Sequence, residues 1–259
     1  MSADTPPLDD RRAAIKAFFV AERGYWRPWV DTMLEAAPGF VEQYARYAGH
    51  PARTGPLSPR MVELVYVALD ASSSHLFEPG LHTHLKKAFE VGASVADVLD
   101  VLQLVALQGA AHVGLATNIV AELAAAHGHR PPQSQTDART DVQTAALGAR
   151  IQQLAPSHAL ALEGLALWDP AYVAVLLDFV EKGGASGGLS PLERTLVQLA
   201  LHACFTAFNP AAVRQLAQVA LEQGAQTTEL LQVVQLGAHL SVHGTALGAR
   251  VLRQVLPAA

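Results

Sequence analysis

Two stretches of this 259-residue sequence decide its fold. One begins Leu57-Ser58-Pro59 and runs to Leu69, and the other begins Leu189-Ser190-Pro191 and runs to Leu201. In both, apolar residues follow at intervals of three and four, which favours an amphipathic or buried helix. Serine at the N-cap and proline at the first helical position are typical of a helix start. Both stretches are therefore predicted to be helices that begin in the same way.

The similarity between the two stretches continues downstream at a constant offset in residue number, the offset that aligns Leu57 with Leu189. That shift places Gly92-Ala93 on Gly224-Ala225 and Val101 on Val233. The register holds without a gap over about eighty positions, and self-similarity at a fixed shift indicates a repeated structural unit. The sequence therefore predicts a tandem duplication of one helical unit.

The rest of the chain fits an all-α fold. Alanine and leucine are abundant, and no stretch alternates between polar and apolar residues as a strand does. Residues 128–140 are rich in Pro, Gln, Ser, Asp and His and are predicted to be a linker. The predicted organisation is a first repeat with an N-terminal extension at 1–127, the linker at 128–140, and a second, degenerate repeat at 141–259.

Composition excludes several classes of function. The formal charge is −5 and the basic residues are scattered, so the chain has no electrostatic footprint for nucleic acid or a membrane surface. The N-terminus has no signal-peptide pattern, and polar residues break the apolar stretches before about 18 residues. We expect a soluble cytoplasmic protein with no nucleic-acid or membrane partner. The single cysteine, Cys204, excludes a Cys-x-x-Cys unit.

One set of spaced residues resembles the core motif of a known family. Leu57-Ser58-Pro59 is followed by Glu63, by His84 eight residues before Gly92, and by an acidic residue, Asp97, that opens the next helix. This pattern is similar to the carboxymuconolactone decarboxylase family of the alkylhydroperoxidase D-like superfamily. The resemblance implies an all-α, alkylhydroperoxidase D-like fold in each repeat.

The resemblance also separates two activities. Peroxidase members of the superfamily use a Cys-x-x-Cys pair, and the positions that match those cysteines are Phe77 and Gly80. Carboxymuconolactone decarboxylases lack the cysteines and decarboxylate and isomerise their substrate without a cofactor. The resemblance therefore implies a cofactor-independent lyase or isomerase acting on a small carboxylate or lactone-like substrate. Peroxidase activity is the least favoured alternative, because Cys204 has no resolving partner.

Two residues are the candidate catalytic pair. His84 lies near the start of a predicted helix, and we expect it to act as the general acid or base. Glu63 is a lone carboxylate on an apolar helix face and needs a partner, for which His84 is the natural choice. The alternatives are structural: an imidazole bound by a backbone carbonyl, and an interhelical ion pair.

Further polar residues are predicted to line the substrate pocket. They are His75, His82, Glu78, His112 and His243. His75, His82, Glu78 and Asp70 crowd one stretch and could ligate a metal, but a metal site is not predicted there, because His82 and His84 are two apart and face different sides of a helix.

In the second repeat the matching positions hold Thr195 and Leu216 in place of glutamate and histidine. That loss leaves open a second interpretation, a non-catalytic helical binding or scaffolding module. Single-copy family members form rings, so a hexamer of single units implies a homotrimer of tandem ones. The predicted helices Asp97–Gln108 and Glu229–Leu240 are apolar nearly all round, which also requires a covering surface.

Overall fold

The computed structural model describes residues 8–131, 138–154, 159–182 and 187–256, and the regular structure in these ranges is helical, which confirms the all-α prediction. The helices are α1 (Leu8–Arg23), α2 (Pro28–Ala36), α3 (Pro38–Thr54), α4 (Pro59–Ala71), α5 (Glu78–Glu90), α6 (Val95–Ala126), α7 (Ala138–Leu154), α8 (Ala159–Trp168), α9 (Pro170–Lys182), α10 (Pro191–Ala203), α11 (Pro210–Glu222), α12 (Thr227–Ala238) and α13 (Val242–Val255), with a 3-10 turn at His239–Ser241.

The chain divides into two compact units. The first combines Met1–Pro56 with Gln235–Ala259, and the second contains Leu57–Val234. The predicted repeat boundaries at 127 and 141 fall inside the second unit, so units and predicted repeats divide the chain differently. The last three positions of the predicted linker already belong to α7, whereas residues 132–137 lie outside the described ranges.

The first unit has an aromatic core of its own. Phe19 of α1 is fully buried, and its ring makes edge-on contacts with Tyr25, Trp26 and Trp29 at centroid distances of 5.5, 5.3 and 6.4 Å. Edge-to-face geometry suits the quadrupoles of aromatic rings and adds to the large apolar area that they bury. The indole nitrogen of Trp26 donates to Asp31, so its polar atom is satisfied.

In the second unit, α4 and α10 begin as the sequence predicts. Ser58 Oγ accepts a hydrogen bond from the backbone of Met61 at the start of α4. Ser190 makes a complete capping box with Glu193 at the start of α10. Gly92 has a φ of 92°, a left-handed conformation that glycine adopts without steric cost. These boundaries depend on local chemistry alone.

Two hydrogen bonds between the predicted repeats form a matched pair. The amide of Leu57 donates to Gln232 Oε1 at 2.8 Å, and the amide of Leu189 donates to Asp100 Oδ2 at 3.0 Å. Leu57 and Leu189 are matched by the repeat shift, and so are Asp100 and Gln232. In each bond the donor lies in one predicted repeat and the acceptor in the other.

Arg60 links the starts of two helices. Its guanidinium donates to Asp97 at 2.5 and 3.0 Å and to Glu193 at 2.5 Å. Burial raises the pKa of the Asp97 carboxyl, but the hydrogen bonds from Arg60 and the Ser94 backbone outweigh it and the pKa is lowered. Burial also opposes ionisation of Glu193, whose pKa is lowered by bonds from the Ser190 backbone and Arg60. Both carboxylates are therefore stabilised as anions.

Helix α6 is long and apolar. Within the described ranges, α6 is one helix that is long and apolar enough to cross a membrane, judged by length and composition alone. The core helix of a soluble protein meets the same two criteria. Helix α6 contains Asp100, which is fully buried and lies 3.2 Å from the guanidinium of Arg194. A buried ion pair of this kind is typical of a helix packed within protein. The predicted absence of a membrane partner stays a prediction.

Candidate functional site

The candidate site is built on the hairpin of α4 and α5. Glu63, Tyr66 and Asp70 follow one another at intervals of three and four residues, so they share one face of α4. The loop after α4 is closed by a hydrogen bond from the amide of Phe77 to the carbonyl of Asp70 at 2.9 Å. This closure brings α5, and with it His84, against that face of α4.

Glu63 and His84 form a direct contact. His84 Nδ1 lies 2.6 Å from Glu63 Oε2, and the two side chains are only 12% and 14% exposed. An ionised carboxylate only accepts hydrogen bonds, so Nδ1 donates and Nε2 is the nitrogen turned to the other side of the ring. The Tyr66 ring lies 4.4 Å from the His84 ring, centroid to centroid, and holds it from one face.

The helix dipole affects His84 less than the carboxylate of Glu63 does. His84 lies more than one turn beyond the start of α5 at Glu78, and the effect of a helix dipole decays within the first turn. The sequence places this histidine near the helix start, but the carboxylate of Glu63 is the feature that orients its ring.

A second carboxylate faces the same imidazole. Asp70 is 2% exposed, and its Oδ2 lies 4.0 Å from His84 Nε2. Its Oδ1 lies 3.8 Å from His75 Nε2. Both distances are too long for a hydrogen bond. Burial lowers the pKa of His75, so this imidazole is neutral near pH 7. The arrangement is therefore a row of four groups, Glu63, His84, Asp70 and His75.

Gly80 allows Asp70 to occupy its position. A Cβ atom at Gly80 would collide with Asp70 Oδ2 and would lie 2.6 Å from the Phe77 ring. The carboxylate of Asp70 therefore rests against the first turn of α5, where the helix dipole stabilises negative charge. From the sequence, Asp70 is only a member of the metal cluster that is not predicted, with no role beside His84. The signal that would have found it is its spacing from Glu63, two helical turns along the same face.

Three other predicted pocket residues, Glu78, His82 and His112, lie outside this row. Glu78 and His82 are exposed on α5. His112, on α6, has its Nδ1 3.1 Å from the carbonyl of Gln108, and its ring centroid is 5.9 Å from that of His202. His243 is half-buried in α13, in the first compact unit. Their roles in substrate binding stay predictions.

The second predicted repeat lacks the pair formed by Glu63 and His84. Thr195 donates to the Pro191 carbonyl at 3.1 Å, and Leu216 is fully buried in the apolar core. The position that corresponds to Asp70 is His202, which is also buried. Cys204 is buried. The positions that match Glu63 and His84 in the second predicted repeat therefore hold neither a carboxylate nor an imidazole.

Comparison with known proteins relates the fold to one solved structure. No family model matches the chain, and no curated protein matches it. Among solved structures, the chain is similar to a putative gamma-carboxymuconolactone decarboxylase subunit from Burkholderia xenovorans LB400. The TM-score is 0.83, the sequence identity is 24%, and the match covers 94% of this chain and 96% of the other. A likeness at this identity shows the fold.

Proposed function

We propose that this protein is a small-molecule lyase or isomerase of the carboxymuconolactone decarboxylase type. The observation that carries the proposal is the 2.6 Å contact between His84 Nδ1 and Glu63 Oε2. An imidazole fixed through one nitrogen by a carboxylate presents its other nitrogen in a defined direction, as general acid–base catalysis requires. The motif resemblance and the shared fold support the same assignment.

The proposed chemistry needs one proton donor. Loss of CO2 breaks the bond between the substrate carbon and its carboxylate, and the electron pair moves through the adjacent double bond or carbonyl to form an enolate. Protonated His84 delivers the Nε2 proton to carbon and becomes neutral, and water then restores that proton. Each CO2 released consumes one proton. Glu63 stabilises the imidazolium before the transfer and keeps the ring aligned.

We also propose that the chain is a tandem duplication. The support is the exchange of hydrogen bonds between Leu57 and Gln232 and between Leu189 and Asp100, which the repeat shift interconverts. Ser74 Oγ and Thr206 Oγ1, another pair related by that shift, contact each other at 3.3 Å. In this proposal the first repeat carries the chemistry and the second serves as its scaffold.

The experiment combines a substrate screen with a paired substitution. Gamma-carboxymuconolactone and other carboxylated lactones are incubated with the protein, and CO2 release and product formation are measured. The His84→Gln variant should lower kcat by about two to four orders of magnitude. His127→Gln is the matched control, because His127 is an exposed residue at the end of α6. Equal turnover by wild type and His84→Gln would reject the assignment.

A non-catalytic binding module remains the second candidate. The observation in its favour is that the second repeat is folded although Thr195 and Leu216 replace the glutamate and the histidine of the first. Tight binding of a screened lactone with no turnover under any condition would favour this module over the enzyme.

We further propose a cytoplasmic homotrimer. Helix α6 exposes large apolar side chains, which a second copy of the chain would cover in a closed ring. These side chains are Val95, Leu99, Leu102, Ile119, Val120 and Leu123.

A further inference from the structure

We propose that an open groove beside α3 is a binding site for a small aromatic carboxylate. The groove has a volume of about 630 Å³, within the range of small-molecule sites in proteins. Its polar lining consists of Gln43, Arg46, Tyr47, His50 and Gln235, which all belong to the first compact unit. The proposal is therefore independent of the acid–base pair on α4 and α5, and it adds a second site to the proposed function.

The groove is rich in hydrogen-bond donors. Gln43, Tyr47 and His50 follow one another at intervals of four and three residues, so they share one face of α3. Arg46 lies one helical turn before His50, and Gln235 joins them from the last turn of α12. Each of these five side chains can donate a hydrogen bond, and none of the described lining residues is acidic. The chemistry of the lining therefore favours an anionic group that accepts several hydrogen bonds.

Arg46 is positioned to bind the anion. Its guanidinium donates to Glu42 Oε1 at 3.1 Å, and its central carbon lies 4.4 Å from the centroid of the Phe18 ring, whose π face attracts the cation. A guanidinium has five N–H donors, and the side chain of Arg46 is 55% exposed. An exposed contact with one carboxylate oxygen is weak. Glu42 therefore does not prevent a ligand carboxylate from accepting two hydrogen bonds from Arg46.

The adjoining part of the groove suits an aromatic ring. A second depression, of about 340 Å³, shares Gln43 and Tyr47 with the first. It is also lined by Phe40 and Tyr44, whose rings are nearly parallel, with centroids 6.1 Å apart. Tyr47 is 56% exposed, so its ring offers a surface on which a flat ligand can stack. A ligand that spans both depressions therefore has a planar apolar body and a carboxylate that reaches Arg46.

The test compares two ligands that differ in one group. They are 2-naphthoate and 2-naphthamide, which carry a carboxylate or a neutral amide at the same position of one ring system. Kd values are measured by titrating naphthyl fluorescence for wild type, Arg46→Gln and Tyr47→Ala. Arg46→Gln should raise the Kd of naphthoate about tenfold and that of naphthamide less than about twofold, because only the carboxylate loses a charge-assisted pair. Tyr47→Ala should raise both Kd values about fivefold, because it removes the stacking surface.

The control is Arg11→Gln, which removes the same charge from an exposed position of α1 outside the groove. Its two Kd values should equal those of wild type. An equal loss of naphthoate affinity in Arg11→Gln would show that binding follows net charge alone. An equal loss for both ligands in Arg46→Gln would show that Arg46 only shapes the groove. Either result, or no binding of naphthoate to wild type, would overturn the proposal.

A second measurement uses wild type alone and covers an Arg46→Gln variant that does not fold. In an NMR titration, naphthoate should shift the ring resonances of His50 and leave those of the exposed His127 unchanged. An unmoved His50 at saturating naphthoate would overturn the proposal.

The other candidate occupant of the groove is a second copy of the chain. In that case neither ligand would bind wild type, and Tyr47→Arg would lower the mass measured by light scattering. That pair of results would make the groove a subunit contact, and the proposed ligand site would be wrong.

Discussion

Replacing Glu63 by glutamine tests how the acid–base pair works. Glutamine keeps the size of the side chain and can still accept a hydrogen bond from His84 Nδ1, but it carries no charge. Because both side chains are mostly buried, solvent screens their interaction weakly. A hydrogen bond to a charged group contributes about 1.5–3 kcal/mol and a neutral one about 0.5–1.5 kcal/mol. The expected loss is therefore about 1–2 kcal/mol.

This loss of interaction energy lowers the rate if protonated His84, which Glu63 stabilises, must form before the transition state. With about 1.36 kcal/mol for each factor of ten, Glu63→Gln should lower kcat/KM about 5- to 30-fold, well below the effect of removing His84. The assay is steady-state CO2 release from the substrate that the screen identifies. Because Glu63 acts through His84, adding Glu63→Gln to His84→Gln should cause little further loss.

Two results would refute this reasoning. Wild-type kcat/KM in Glu63→Gln would show that the 2.6 Å contact is structural only. A double variant in which the two losses multiply in full would show that Glu63 acts independently of His84. The ring nitrogen resonances of His84 give a check without substrate, because wild type should carry a proton on Nδ1, the nitrogen that faces Glu63, and Glu63→Gln should lower the protonated fraction of that nitrogen.

Three further predictions concern stability and assembly. Arg60→Met should lower the free energy of unfolding at pH 7 by about 1–3 kcal/mol, because it leaves Asp97 and Glu193 without their guanidinium partner. Both carboxyl pKa values are lowered in the fold, so urea titrations should show the stability difference from wild type shrinking as the pH falls through those pKa values. His75→Gln should reduce the loss of stability below about pH 6.5, because the folded chain, in which burial lowers this pKa, binds fewer protons there than the unfolded chain; an unchanged slope of stability against pH would contradict this. Light scattering should give a mass near three chains of 27.4 kDa, and a stable monomer at micromolar concentration would contradict the trimer.

Much of the helical framework is predictable because its signals are local. Ser58 and Ser190 cap helices through their own hydroxyls, and Gly92 and Gly224 end helices through their positive φ. None of these features needs a distant partner. The pairing of Glu63 was also foreseeable, because a carboxylate on an apolar helix face requires a partner.

The sequence by itself determined the all-α class and the starts of α4 and α10, and it paired Glu63 with His84, since these follow from periodicity, capping and motif spacing. Tertiary structure alone decided which groups surround that pair. Asp70 faces His84 because the α4–α5 loop closes through Phe77 and because Gly80 has no side chain to exclude the carboxylate. The joining of Gln235–Ala259 with Met1–Pro56 in one unit is likewise a long-range result. Both results depend on how helices and side chains pack against one another, which local propensity does not describe.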